Sequence, residues 1–273
     1  MEIQPISNAV LKRFSQIGDR KFHGRHGEFL VEGVRIVEEA MEAGRVRELA
    51  LAPAAENNGR IAALVADCEE RGIRVYRCDA GQMERITRTV NNQGIAAGAA
   101  LPDKSTGEIY GELLQVPSGT ILLLDGVQDP GNVGTLLRTA EAFSAAGAIL
   151  AQGCAGLYNP KTIRATMGSL FRLRIAEIRS RKSVDILREF SSRGFQTVVT
   201  DLSPGAVPLP KARFAKKNLI AIGSEAAGVS RGLSEAADLS VYIPMSGPTE
   251  SLNAAVAGGM VLYRALADSG SSG

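Results

Sequence analysis

The sequence predicts an α/β protein with two domains. Short apolar runs alternate with amphipathic stretches along most of the chain, which is typical of sheets whose strands are joined by helices. Of the 273 residues, 45% are apolar, enough for a substantial buried core. A stretch with two prolines and two glycines over residues 101–118 interrupts the alternation. We therefore expect a domain over residues 1–100, a linker over 101–118 and a second domain over 119–267.

The first domain is predicted to be a small α/β unit. Helices are expected where apolar residues recur at helical spacing, as at Val34, Val37 and Met41. The predicted helices cover residues 9–15, 33–43 and 61–71. Strands are predicted in the short apolar runs at residues 28–31, 49–51, 75–77 and 95–100. Their alternation with the helices predicts a mixed or parallel sheet.

The alternation restarts at Gly119 and continues to residue 267. The predicted strands cover residues 120–125, 148–151, 172–178, 195–200, 218–222 and 240–243. The predicted helices cover residues 133–146, 160–168, 183–192, 231–236 and 250–267. The last six residues, 268–273, have the serine and glycine composition of a linker, so we expect a flexible tail there.

Several classes of protein are disfavoured by the composition. No apolar run approaches the roughly 18 residues of a membrane span, and the start of the chain lacks the features of a signal peptide. We therefore expect a cytoplasmic protein with no membrane partner. Cys68, Cys78 and Cys154 form no C-x-x-C pair, which argues against a zinc site, so no metal is expected. Because His23 and His26 are the only histidines, the second domain cannot hold a Ser-His-Asp triad.

Basic residues are concentrated in two places although the net charge is only +2. One cluster lies in residues 9–27 and the other in residues 161–182. Such clusters on a nearly neutral protein are compatible with a phosphate-binding face. An equally open interpretation is a surface made soluble by its charges.

Three segments of the second domain place polar residues where predicted strands end. They are Asn132–Gly134 with Arg138, Gly223–Gly228 with Glu225, and Ile243–Met245 followed by Ser251–Asn253. Ligands bind to α/β sheets at strand ends of this kind. Three such segments in one domain therefore predict one composite site.

The first segment does not match the common phosphate-binding motifs. Gly126 and Gly131 have the spacing of a P-loop, but Asn132 follows where that motif requires lysine. The segment is not G-x-G-x-x-G either. What remains is an amide near the start of a predicted helix and a guanidinium, that of Arg138, which could hold a phosphate with two hydrogen bonds.

Each candidate residue also has an ordinary structural role open to it. Arg138 could form a surface salt bridge with Glu141 or Glu225. Asn132 could cap the helix that follows it. Glu225 could cap the helix near Ser230 instead of pairing with Arg138.

Taken together, the three segments resemble the motifs of a known family. Residues 132–140 (NVGTLLRTA), 222–230 (IGSEAAGVS) and 243–257 (IPMSGPTESLNAAVA) resemble motifs one, two and three of the SpoU/TrmH family of the SPOUT superfamily, in the family's order and spacing. Residues 20–43 (RKFHGRHGEFLVEGVRIVEEAMEA) resemble its N-terminal substrate-binding domain, which is related to small ribosomal RNA-binding proteins.

This resemblance implies an RNA methyltransferase that transfers a methyl group from S-adenosylmethionine to a ribose 2′-hydroxyl. It also implies a homodimer and a deep trefoil knot in the second domain, an exception to the usual absence of knots. By analogy, a full N-terminal domain favours large-subunit ribosomal RNA as the substrate. A tRNA methyltransferase, or a non-catalytic RNA-binding or ribosome-assembly protein of the same fold, remains an alternative.

The resemblance further implies roles for individual residues. Arg138 would be the central catalytic residue, with Asn132 ordering the site beside it. Glu225 and Asn253 would support them, and Ser251 would line the pocket. The residues implied to hold S-adenosylmethionine are Gly223, Ile243, Met245, Leu252 and Ser251.

Overall fold

The computed structural model describes residues 3–55, 58–88, 92–225, 227–248 and 251–270. The backbone divides into two compact units. The first contains Met1–Asp103 and Tyr158–Phe171, and the second contains Lys104–Leu157 and Arg172–Gly273.

The first unit is built on a five-stranded mixed sheet. Its strands are β1 (Gln4–Pro5), β2 (Glu28–Glu32), β3 (Val46–Leu51), β4 (Arg74–Arg77) and β5 (Ile95–Ala100). They lie in the order β1-β4-β3-β5-β2. The neighbours β1, β4 and β3 are parallel, whereas β5 runs antiparallel to both β3 and β2. The helices before residue 104 are α1 (Asn8–Ile17), α2 (Arg20–His26), α3 (Val34–Glu42), α4 (Gly59–Glu70) and α5 (Ala80–Ile86), with a 3₁₀ turn at Pro53–Ala55.

Helices α1 and α3 form where apolar residues recur on one side. In α1, Leu11, Phe14 and Ile17 are buried against the sheet-side core of the unit, and the Ser7 side chain caps the helix by accepting from the Val10 amide. Strand β5 is buried along its full length. The apolar spacing therefore determines which side of each helix faces the core.

The second unit is built on a seven-stranded sheet in which every described pair of strands is parallel. Its strands are β6 (Gly119–Asp125), β7 (Gly147–Leu150), β8 (Ile175–Glu177), β9 (Gln196–Thr200), β10 (Val207–Pro208), β11 (Lys217–Gly223) and β12 (Leu239–Tyr242). They lie in the order β10-β12-β9-β11-β6-β7-β8. Its helices are α6 (Thr106–Leu114), α7 (Pro130–Ala142), α10 (Ser183–Ser192), α11 (Arg231–Ala236) and α12 (Ala254–Gly270), with a 3₁₀ turn at Leu209–Lys211.

Strands β6 and β11 lie at the middle of this sheet and pair along their whole length, from Lys217 opposite Gly119 to Gly223 opposite Asp125. Their central residues are fully buried, as expected for parallel strands that are covered on both faces. The parallel pairing brings the carboxyl ends of β6, β11 and β12 to the same edge of the sheet. The three loops that carry the candidate residues therefore start from one edge.

A segment from the second half of the chain belongs to the first unit. It consists of α8 (Pro160–Thr166) and most of α9 (Ser169–Arg172). The ring of Phe29, on β2, packs against Tyr158 at 4.5 Å and against Phe171 at 6.1 Å between centroids. This aromatic contact joins parts of the chain that are more than a hundred residues apart.

The predicted strands and helices all exist, with several differences in their bounds. Within the predicted linker, α6 buries Ile109 and Leu113 in the core of the second unit. The predicted strand over 172–178 is reduced to β8, because its first residue ends α9. Helix α12 continues to Gly270, three residues into the predicted tail, while residues 271–273 lie outside the described residues.

Two further observations bear on the exclusions drawn from composition. Among the described residues, no helix is both long and apolar enough to span a membrane. Cys68, Cys78 and Cys154 are free and buried, and burial raises the pKa of each thiol to about 11. All three thiols are therefore protonated and unreactive near neutral pH.

Candidate active site and cofactor pocket

The loop after β6 fixes the position of Asn132. Asp129 caps α7 by accepting from the Asn132 amide at 2.8 Å, and Pro130 occupies the first turn, where its missing N–H costs nothing. The alternative role of Asn132 as a helix cap is therefore wrong. Because Asp129 performs that role, the Asn132 side chain can bond elsewhere.

Asn132 lies at the centre of a chain of three side chains. Its Nδ2 donates to Oε1 of Glu225 at 2.8 Å, and its Oδ1 accepts from Nδ2 of Asn253 at 2.9 Å. Oδ1 of Asn253 in turn accepts from the amides of Ala255 and Val256 at the start of α12. The direction of every bond is thus set by the start of α12, and the chain ends with a donor facing Glu225. These residues come from the three segments predicted to form one site.

The carboxyl of Glu225 is held in its ionised form. Partial burial opposes ionisation, but hydrogen bonds from the Asn132 side chain and from the backbone amides of Glu225, Gln128 and Asp129 outweigh it. The net result is a pKa below the ordinary value for glutamate. Glu225 therefore contributes a negative charge to the site at neutral pH.

The loop after β11 is closed by a short backbone bridge. The amide of Ser224 donates to the Gly228 carbonyl at 3.0 Å, and the amide of Gly228 donates back at 2.9 Å. A Cβ atom on Gly223 would lie 2.1 Å from the carbonyl carbon of Gly228. Only glycine fits at position 223, because any side chain would push the two arms of the loop apart.

All five residues predicted to hold the cofactor line one cavity. Its volume is about 380 Å³, and its walls include Gly223, Ile243, Met245, Ser251 and Leu252. Glu225 lines the same cavity, as do Ile222 and Ala257. A mainly apolar cleft that includes the ionised carboxylate of Glu225 suits a ligand that joins apolar groups to a positive charge.

Sequence reasoning missed one wall of this cavity. Thr200 ends β9, Asp201 and Leu202 follow it, and Tyr242 ends β12. All four residues line the cavity. The side chain of Asp201 accepts from the Ser234 hydroxyl at α11 and from the Leu202 amide at 2.8 Å. The loop after β9 carries no motif, and its place between β11 and β12 follows only from the strand order.

Arg138 is not part of the hydrogen-bonded chain formed by Glu225, Asn132 and Asn253. It is exposed on α7, six residues after Asn132, or about 9 Å further along the helix axis. No described residue forms a hydrogen bond or an ion pair with it. Of the two partners expected for it, Glu141 is bound to Arg172 and Glu225 is bound to Asn132.

A second groove lies between α7 and α12. Its volume is about 470 Å³, and it begins beside Asn132 and Asn253. Further along, it is lined by Phe143, Met260 and Tyr263. The ring of Phe143 lies 5.7 Å from that of Tyr263. An apolar groove thus continues directly from the polar site residues.

Two protein-family models match the chain. The model described as the SpoU rRNA Methylase family matches residues 119–263. The model described as RNA 2′-O ribose methyltransferase substrate binding matches residues 30–104. The first match covers the three site segments, and the second covers most of the sheet of the first unit.

Similar proteins match over nearly the full length. The 23S rRNA (guanosine(2553)-2′-O)-methyltransferase RlmP of Bacillus subtilis is 31% identical over 96% of this chain and 98% of its own. The 23S rRNA (uridine(2479)-2′-O)-methyltransferase of Streptomyces viridochromogenes is 29% identical, covering 93% and 89%.

Solved structures agree with these matches. The SpoU methyltransferase AviRb from S. viridochromogenes in complex with AdoMet (S-adenosylmethionine) superposes with a TM-score of 0.79 at 29% identity, over 98% of this chain and 100% of that one. An AdoMet-bound rRNA methyltransferase from Sinorhizobium meliloti gives 0.78 at 28% identity, over 97% of each chain. Since the first family model spans more than half of the 273 residues, the chain belongs to the SpoU rRNA Methylase family.

Proposed function

We propose that this protein transfers a methyl group from S-adenosylmethionine to a ribose 2′-hydroxyl of large-subunit ribosomal RNA. The observation that carries the proposal is the meeting of three segments in one site. Asn132, Glu225 and Asn253 form a single hydrogen-bonded chain, and Glu225 opens onto the cavity with the five predicted cofactor residues. We place the reaction in the cytoplasm.

The choice of ribosomal RNA is supported by the share of the chain over which the relatives align. The two 23S rRNA enzymes align over 96% and 93% of this chain. The A. aeolicus TrmH/SpoU tRNA modifying enzyme covers only 61% of this chain, with a TM-score of 0.51. The rRNA enzymes therefore share both units with this protein. We propose that the first unit binds the RNA and that the second unit, with its implied trefoil knot, performs the transfer.

The cavity fits S-adenosylmethionine in two respects. Gly223 and Gly228 both line the cavity, and backbone without a side chain can approach a ligand closely. Ionised Glu225 places a negative charge in the cavity, which favours a sulfonium. When bound, the cofactor supplies the methyl group. We assign its binding to Gly223, Ile243, Met245, Leu252 and Ser251.

The residues beside the cavity would act mainly by positioning. Methyl transfer is an in-line displacement, and holding the reactants in line can supply roughly 7–11 kcal/mol. Asn132 and Asn253, which are hydrogen-bonded to each other and through Asn132 to Glu225, would hold the loops of the site in place. Ser251 would lie beside the position of the reacting 2′-hydroxyl.

Arg138 would bind an RNA phosphate and polarise the 2′-hydroxyl. A guanidinium stays protonated in proteins and cannot serve as the base. The proton would therefore pass to the phosphate or to water. The lack of any described partner leaves the Arg138 side chain available for RNA.

We also propose that the active protein is a homodimer formed through α12. The outer face of this helix is apolar yet open to solvent, with Val256 53% and Tyr263 62% exposed. Apolar side chains on this face also line the groove that begins at Asn132 and Asn253. A second copy packed there would bury the groove and shield the site from water.

The test is transfer of labelled methyl from S-adenosylmethionine to total RNA from a strain that lacks the gene. We expect label in large-subunit ribosomal RNA, recovered as a 2′-O-methylnucleoside. Label in the tRNA fraction would support methyl transfer but contradict ribosomal RNA as the substrate. Absence of both label and cofactor binding would favour a non-catalytic RNA-binding or ribosome-assembly role.

A further inference from the structure

The first unit contains a cavity that the methyl-transfer site does not use. Its volume is about 240 Å³, the share of about eight water molecules, which is enough for a planar ring. Three stretches of chain form its walls, at residues 32–36, 92–95 and 164–167. All three belong to the first unit.

Two carboxamide side chains line this cavity. Their oxygens accept hydrogen bonds from backbone amides, and their NH₂ groups have no hydrogen-bond acceptor among the described residues. Oε1 of Gln93 accepts from the Val34 amide at 2.8 Å, and Oδ1 of Asn92 accepts from the Gly94 amide at 3.1 Å. No described residue accepts from either NH₂ group. Backbone bonds therefore orient both side chains and leave donors for something else.

Arg164 adds a further donor. Its Nη1 atom is buried and has no hydrogen-bond partner among the described residues. The carboxylate oxygen that pairs with it, Oε2 of Glu32, is 4.0 Å away. That distance is beyond hydrogen-bond reach. A buried donor without an acceptor is unfavourable, and an acceptor atom of a ligand would remove this cost.

The charges around the cavity are balanced. Glu32, only 7% exposed, faces Arg164. Arg35 pairs with Glu39 at 2.8 Å. Since each guanidinium already has its own carboxylate, the cavity has little excess positive charge for a phosphate. Its surplus is in hydrogen-bond donors, which suits a neutral group that carries acceptor atoms.

Met167 supplies an apolar surface at considerable conformational cost. It ends α8 in the left-handed region, with φ 50° and ψ 37°, where glycine is the usual residue. Its side chain is 38% exposed and lines the cavity with Ile36 and Ile95. Strained residues of this kind are concentrated at functional sites, and a thioether packs well against an aromatic ring.

We propose that this cavity binds one unpaired nucleobase of the RNA substrate. Arg164 and the amides of Asn92 and Gln93 would donate to acceptor atoms on the base edge, while Met167 covers a face of the ring. Recognition of splayed-out bases by stacking and edge hydrogen bonds is the usual way in which proteins read RNA sequence. The inference rests on the proposed RNA substrate and adds a specificity site that shares no residue with the methyl-transfer motifs.

The first test is a double variant of the full-length protein, Asn92→Asp with Gln93→Glu. Both replacements keep the oxygen that accepts from backbone and remove the NH₂ donors. The matched control is Asn58→Asp with Gln82→Glu, because these side chains also accept from the Arg60 and Asp79 amides and the same charge is added. With large-subunit RNA from a strain lacking the gene, we expect the KM for RNA to rise at least tenfold in the first variant only.

Cofactor affinity and kcat at saturating RNA should stay unchanged, since neither depends on base recognition. A second variant, Met167→Gly, removes the apolar wall and relieves the backbone strain, so it should fold at least as well as the wild type. Its control is Ser144→Gly, the other described non-glycine residue with positive φ. We expect weaker RNA binding for Met167→Gly alone.

The outcomes separate the two proposals. If the wild type methylates RNA but both cavity variants match their controls, the base-binding site is wrong. If the wild type neither binds nor methylates RNA, the proposed function itself fails. Photo-crosslinking of the same RNA provides a direct check, because the crosslinked peptide should contain Met167 or Arg164.

Discussion

The side chain of Asn132 accepts from Asn253 and donates to Glu225, so its amide works in one orientation only. The sequence allowed the residue types of this site to be predicted, but not their partners. Glu225 was expected to meet Arg138 or to cap α11. The helix start at Asp129 instead turns Asn132 toward Glu225, a consequence of local geometry that no residue pattern reveals. The roles of all these residues in the reaction stay predictions.

Replacing Asn132 with aspartate should break the chain without changing its shape. The donor that now lies 2.8 Å from Glu225 becomes a second carboxylate, and two facing carboxylates raise the pKa of one of them. A raised folded-state pKa gives stability at low pH that is lost as the pH rises through that pKa. We therefore expect the melting temperature of Asn132→Asp to match the wild type near pH 4 and to fall below it near pH 8.

Methyl transfer by this variant at neutral pH should decrease at least tenfold. The control is Asn159→Asp, where the side chain accepts from the Lys161 amide as a helix cap and aspartate serves equally well. Equal pH profiles for the two variants would contradict the assigned bonding of Asn132.

Arg138→Lys tests whether two-point binding of phosphate matters. Lysine keeps the charge but loses the planar fork of donors. We expect at least a tenfold decrease in kcat/KM for RNA, with cofactor affinity unchanged, since Arg138 does not line the cofactor cavity. Turnover near the wild-type level would show that charge alone suffices.

At the scale of elements, the strands of the second unit were the easiest to predict. Buried parallel strands are continuous apolar runs, and β6 and β11 are clear examples. Helices α2 and α5 were missed because they are only seven residues long and have no clear apolar stripe. They begin at side-chain caps instead, with Asp19 accepting from Lys21 and Asp79 from Gln82.

Gly223→Ala should weaken cofactor binding strongly while leaving the sheet intact. The added methyl would lie 2.1 Å from Gly228 and force open the loop that joins β11 to α11. Gly232→Ala is the control, because a Cβ there meets nothing within 4 Å and alanine favours a helix by up to about 1 kcal/mol. Isothermal titration with S-adenosylmethionine should show at least a hundredfold weaker affinity for Gly223→Ala only.

At the scale of the whole molecule, the α/β class and the family were confirmed. The order of strands was not predictable, because β12 lies beside β9 and β10 through long-range pairing that no local pattern encodes. For the same reason, the inclusion of residues 158–171 in the first unit could not be read from the chain. For the same reason, the loop after β9 was not predicted to line the cavity.

Val256→Lys should convert a dimer into a monomer. It places a charge in the middle of the exposed apolar face of α12, where burial against a second copy would cost several kcal/mol. Gln115→Lys adds the same charge at an exposed position of the second unit outside the groove. Light scattering after size-exclusion chromatography should show half the mass for Val256→Lys alone, and an unchanged mass would contradict the proposed interface.

The return of residues 158–171 to the first unit has a consequence for biosynthesis. Phe29 obtains its neighbours Tyr158 and Phe171 only after the ribosome has added 68 residues beyond Asp103. At roughly 5–20 residues per second, the nascent amino-terminal half waits about 3–14 s with this side of β2 uncovered. The first unit therefore cannot complete its fold until part of the second unit, residues 104–157, has already been synthesised.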